Sequence, residues 1–161
     1  MIQVKKSNRR VARERVLQAL YAHKMNGEGI DVLLHSILAD IDSENDREFA
    51  KKLVYKILAN AQMLEDIISD RVANWEMDRI AVIDKLLLQI GICEIVFFTD
   101  IPPKVSINEA IEIAKEYSTS NSGKFINGIL DAILSDMKKD GKLKKAGRGL
   151  IEESIPKQQS K

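Results

Sequence analysis

An all-α fold, one compact bundle of about seven helices, is predicted by three features of this 161-residue sequence. Apolar residues recur at spacings of three and four through most of the chain, the period of one helix face. No run alternates apolar and polar residues as a half-buried strand does. Segment 80–98 is apolar on nearly every side, interrupted only by Asp84, Lys85, Gln89 and Glu94. A helix without a polar face is normally the central one, covered by its neighbours.

The elements follow in order. Ser7 or Asn8 can cap a first helix that runs to Met25, with Val16, Leu17, Leu20 and Tyr21 as its inward stripe. Gly27 and Gly29 end it. Asp31 opens a short helix with Leu34, Ile37 and Leu38 inside. Ser43 and Asp46 form a capping-box pattern, after which Phe49, Leu53, Ile57, Leu64 and Ile67 are buried. That stretch bends near Asn60, before Trp75. Asp78 is the expected cap of the central helix, which reaches Phe98, where Pro102 and Pro103 then enforce a break. Ser106 and Glu109 make a second capping-box pattern, opening a helix that ends near Tyr117. Residues 118–122 form a polar loop. The last helix carries Phe125, Ile126, Ile129, Leu130, Ile133, Leu134 and Met137, and Gly141 stops it. Gly128 inside that helix costs about 1 kcal/mol relative to alanine, so a close helix crossing is expected there. Residues 1–137 thus form one helical domain, and 138–161 a Lys-rich, mobile tail of little apolar content.

Hydrophobic residues at 45% and charged residues at 30% exclude a disordered chain. The single cysteine, Cys93, excludes an internal disulfide framework and fits a reducing cytoplasm. The N-terminus is basic but lacks the apolar run of a signal peptide. Nothing supplies the roughly 20 predominantly apolar residues of a membrane span. His23, His35 and Cys93 are isolated, without metal-ligand spacing, and no glycine-rich phosphate loop or dinucleotide fingerprint is present. No cofactor is therefore expected, and the chain reads as a binder rather than an enzyme. Glu94 stands out because it falls among Ile90, Cys93, Phe97 and Phe98; a buried carboxylate must find donors, expected from a loop backbone.

Charge is unevenly spread. The formal total is +1, yet residues 1–15 hold six bases against one acid, and 138–161 eight bases against three acids. Two basic ends thus flank an acidic body, and clustered like charge sets up a local field that the total hides. On a helix, Arg9, Arg10 and Arg13 share one side. Basic charge at a helix N-terminus opposes the macrodipole by about 0.3–1 kcal/mol per charge, and arginine suits phosphate through its paired donors. These residues are candidates for nucleic-acid contact. A second candidate is the loop and helix start at 118–128, where Gly123 and small polar residues leave amides open to an anion and Lys124 adds a cation. Phe125 either stacks on an unpaired base or packs in the core as part of a stripe with Ile129 and Ile133.

The run RRVARE at 9–14, followed by LQALY at 17–21, resembles the opening of the NusB family of bacterial transcription antitermination factors. IDKLLL at 83–88, PKVSINEA at 103–110 and KFINGILD at 124–131 match later pieces of that family, in its order and at about its spacing. The resemblance implies a NusB-like helical fold that binds the boxA element of ribosomal RNA leaders together with NusE, a small-subunit ribosomal protein. The pair would help RNA polymerase pass terminators within the antitermination complex. By motif, Arg9, Arg10 and Arg13 would contact RNA, and Asn121, Lys124 and Phe125 would complete that surface. Asp84 matches an acidic family position facing NusE, with Tyr21 and Glu76 as nearby candidates. The acidic body would suit a basic protein partner. Gln89 and Cys93 stand where the family often has arginine and tyrosine, and Asn121 where some relatives have an acid. The basic tail is longer than the family's usual end and either adds RNA affinity or is solvated.

Two other readings compete. The same fold forms the N-terminal RNA-binding domain of some ribosomal RNA cytosine methyltransferases, but 161 residues leave no room for a catalytic domain. The other is a plain helical interaction module. Self-association, including a homodimer, is left open by the sequence.

Overall fold

Local signals in the chain set most helix boundaries. The computed structural model describes residues 5–72 and 74–151, without the side chains of residues 74 and 75. Ser7 caps α1 (Asn8–Asn26), its hydroxyl accepting from the Arg10 N–H at 3.1 Å. Gly27 ends that helix in the left-handed region, at φ +66°. Helix α2 (Ile30–Ile37) is capped by Gly29 and carries Asp31 in its first turn. Ser43 caps α3 (Glu44–Ala59) by accepting from the Asp46 N–H at 3.2 Å. Asn60 divides it from α4 (Ala61–Ser69), donating its side-chain amide to the Lys56 carbonyl at 2.8 Å. A single turn, α5 (Asn74–Met77), precedes α6 (Val82–Phe97), α7 (Pro103–Tyr117) and α8 (Ser122–Lys139). Gly141, at φ +67°, stops the last of these, and a short 3₁₀ turn covers Gly147–Leu150. Among the described residues seven helices have eight residues or more, and there is no strand.

The core is built around α6, which packs against α1, α3, α4, α7 and α8. Leu86, Leu87, Leu88, Ile90, Ile92, Cys93 and Ile95 are all buried along it. Helices α7 and α8 form an antiparallel pair over one side of α6, while α1 and α3 cover the other. Cys93 is wholly buried, and burial pushes its thiol up to about 12. It is a core residue, not a nucleophile.

In helix starts, helix crossings and the tail, the structure departs from the sequence reading in four places. Asp78 does not cap α6, which starts at Val82 after Ala81. Helix α7 starts at Pro103, four positions earlier than a capping box at Ser106 requires, because proline already has the dihedral of a first helical residue. Ser106 and Glu109 therefore sit inside the helix with their side chains free for distant partners. The close crossing lies at Gly91 rather than Gly128: a Cβ on Gly91 would come 2.8 Å from Leu130 Cδ1, whereas one on Gly128 would meet nothing within 4 Å. Gly128 is exposed.

The fourth departure concerns the expected mobile tail. Lys138 and Lys139 belong to α8, and the later described part, 142–151, lies against the junction of α6 and α7. Lys145 Nζ donates to the carbonyls of Glu94 at 3.1 Å and Phe98 at 2.7 Å, covering the open C-terminal end of α6. The Ala146 N–H donates to the Thr99 carbonyl at 3.0 Å. Gly149 is buried so closely on that turn that a Cβ would stand 1.9 Å from the Thr99 oxygen, so only glycine fits. Residues 152–161 lie outside the described residues.

Candidate nucleic-acid interface

The start of α1 is held by ion pairs to three other helices. Arg9 Nε lies 2.9 Å from Asp46 of α3, and its guanidinium carbon lies 4.2 Å from the centre of the Phe49 ring. Arg10 grips Glu109 of α7 with two donors, at 2.7 and 3.2 Å. Lys6 reaches both Glu14, at 2.8 Å, and Glu116 of α7, at 2.6 Å. Arg15 pairs with Asp40 at 2.7 Å on another face. Carboxylates that give the body its negative charge are thus threaded among the N-terminal bases.

Arg13 parts company with Arg9 and Arg10. It is 3% exposed, and both of its donors bind Glu94 of α6, at 2.9 and 2.7 Å. Ser106 of α7 adds a hydroxyl to the same carboxylate at 3.0 Å. This corrects two expectations. The three arginines do not form one outward face, because α1 lies between α3 and α7 and its third arginine turns into the bundle. Glu94 finds its donors in two side chains rather than in a loop backbone. A buried arginine–carboxylate pair needs such additional bonds to offset desolvation.

At the start of α8, Asn121 and Lys124 are exposed, and Phe125 is half-buried against the apolar core. Phe125 therefore packs on the core while the residue stays partly accessible. Beneath this segment, Asp84 accepts from Ser118 Oγ at 2.6 Å and Ser122 Oγ at 2.8 Å. Asp84 is only 8% exposed, so it does not present itself to a partner as the resemblance implied. Instead it fixes the loop that carries Asn121 and leads to Lys124 in the first turn of α8. Sequence reasoning missed Ser118 and Ser122; the only signal was two hydroxyls bracketing a polar loop. Of the other partner-facing candidates, Tyr21, expected on the inward stripe of α1, is instead 39% exposed, and Glu76 is exposed on α5.

The two segments lie along one flank of α7. Arg10 rests at Glu109, Lys6 at Glu116, and α8 begins just past Tyr117. From Glu109 to Tyr117 is two turns of helix, about 12 Å. The exposed groups along this line are guanidinium edges, an ammonium, amides and a partly accessible aromatic residue. Such groups suit phosphates and bases. No group of three His, Cys, Asp or Glu side chains suited to a metal occurs among the described residues, and no described helix is long and apolar enough to cross a membrane.

Comparison with known proteins gives concordant matches. The model of the NusB family matches residues 10–135. The transcription antitermination protein NusB of Chloroherpeton thalassium is 43% identical over 150 residues, covering 90% of this chain and 70% of that protein. Among solved structures, NusB of T. maritima superimposes with a TM-score of 0.74 at 38% identity, over 83% of this chain and 94% of that one. A crystal structure of antitermination factors NusB and NusE in complex with dsRNA contains a chain matching at TM-score 0.73 and 26% identity, over 80% of this chain and 97% of that one. With the family model covering well over half its length, this chain belongs to the NusB family.

Proposed function

We propose that the protein is a transcription antitermination factor that binds boxA-type single-stranded RNA of ribosomal RNA leaders together with NusE. In the cytoplasmic antitermination complex it lets RNA polymerase read through terminators. Membership of the NusB family carries this reading, supported by the likeness to a chain solved with NusE and RNA. Arg9, Arg10 and Lys124 meet phosphates, and Asn121 and the accessible part of Phe125 meet bases or sugars. Arg13 acts through position: its bond to Glu94 fixes the rotation of α1 and so the direction of Arg9 and Arg10. Asp84 does the same for the loop at 118–122, while Tyr21 and Glu76 remain on the surface for NusE.

The test is an equilibrium titration of labelled boxA RNA against a scrambled RNA of equal length, with and without NusE. The boxA RNA should bind more tightly, and NusE should increase the difference. Equal affinity for both RNAs under both conditions would reduce the interaction to non-specific charge and overturn the proposal.

A further inference from the structure

We propose that the C-terminal arm, residues 142–151, completes the RNA surface by placing Arg148 across a cleft from Arg9, where the two guanidinium groups hold one phosphodiester of a single-stranded RNA. The inference rests on the RNA-binding reading above and extends it to a segment outside the family match, which ends at residue 135.

The geometry begins with the way the arm is held. Three independent contacts fix it to the α6–α7 junction: Lys145 on the last carbonyls of α6, Ala146 on the Thr99 carbonyl, and buried Gly149 against the same peptide. A solvated tail needs none of these. The result is a cleft of about 460 Å³ between the start of α1, the α6–α7 junction and the 3₁₀ turn, lined by Arg9, Arg13, Asp100, Glu109 and Arg148.

The roles of those charges differ. Arg13 is consumed by Glu94, and Glu109 by Arg10. Arg9 keeps a side chain 36% exposed although paired with Asp46. Arg148 is exposed and has no carboxylate partner among the described residues, so its donors are available to a ligand. Arg9 and Arg148 are thus the two guanidinium groups of the lining with exposed donors, and Asp100 opposes them, which suits a single phosphodiester rather than a multiply charged mononucleotide. The cleft also continues the line of Arg10 and Lys6 along α7, at the end opposite the start of α8. A strand crossing that line would meet Arg148 as its outermost contact.

The experiment measures fluorescence anisotropy of labelled boxA RNA with the full chain over a series of salt concentrations. Arg148→Ala should weaken binding roughly tenfold, the size of one charge-assisted hydrogen bond, and reduce the salt slope by about 0.7. Lys145→Met, which releases the arm, should give the same loss, and combining it with Arg148→Ala should add nothing. Gly149→Val is a second way to release the arm should the first leave it docked. Lys144→Ala, on the same arm but outside the cleft, controls for general charge. If Arg148→Ala matches Lys144→Ala while Arg9→Ala weakens binding, the arm plays no part and this inference falls alone. If Arg9→Ala and Arg148→Ala both bind as the parent does, the RNA-binding reading fails with it.

Discussion

The two basic ends carry the same formal excess in the sequence and are used in opposite ways. At the N-terminus Lys6, Arg9, Arg10, Arg13 and Arg15 each meet a carboxylate of another part of the chain. At the C-terminus Lys138, Lys139, Lys142, Lys144 and Arg148 have no carboxylate partner among the described residues, and Lys145 is spent on backbone carbonyls. Identical charge counts therefore conceal a lattice at one end and free field at the other. The N-terminal bases hold helices together and expose only their edges. The C-terminal ones, once the arm is docked, act on whatever approaches.

This contrast is open to attack, first where the expected effect is largest. Arg13→Met strands the Glu94 carboxylate inside the bundle and should lower unfolding free energy by about 3–5 kcal/mol in urea titration. Adding Glu94→Leu should recover most of it, since an apolar pair of similar volume avoids the desolvation cost. A loss below about 1 kcal/mol for Arg13→Met would place that residue among ordinary surface pairs and dissolve the contrast.

At the other end, Lys138→Ala with Lys139→Ala should change stability by no more than about 0.5 kcal/mol. The same double variant should flatten the salt dependence of RNA binding by about 0.7 for each lysine that meets a phosphate. A clear loss of stability with an unaltered salt slope would assign these lysines to the fold instead.

A last difference lies in pH dependence. Burial lowers the Lys145 ammonium from 10.5 to about 8, against the opposing pull of Glu94 and Asp100. From about 8 up to the ordinary lysine value the unfolded chain binds the proton more tightly than the folded one, so this group makes stability rise with pH across that window. Lys145→Met should lack this contribution, and urea midpoints at pH 7.5, 8.5 and 9.5 compare the two proteins. Parallel curves would mean that Lys145 is solvated and the arm undocked.

What could be read from the sequence was local. Ser7, Ser43, Gly27 and Gly141 act within four residues of themselves, and Asn60 marks a break through its own side chain, so each boundary is written where it occurs. Family motifs likewise pointed to the surface segments at 9–13 and 121–125. What escaped was set by residues far apart in the chain. Arg13 and Glu94 are separated by 81 positions, and no helical spacing rule could turn one arginine of three inward. Ser106 and Glu109 have the spacing of a capping box, but Glu94 and Arg10 engage them from other helices. Asp84 seemed to face outward because the two hydroxyls that claim it lie 34 and 38 residues later. A lysine-rich composition spoke for a mobile arm, and one glycine and one ammonium group outweighed it.

The crossing of Gly91 and Leu130 also constrains how this sequence can drift. Because a methyl group at 91 would press on a leucine with no accessible surface, the two positions share one volume. Chains that gain a side chain at the first should be found to have lost bulk at the second, and a substitution at either alone should be rarer than the pair. A helix crossing thus becomes a rule about which histories of substitution remain open to the protein.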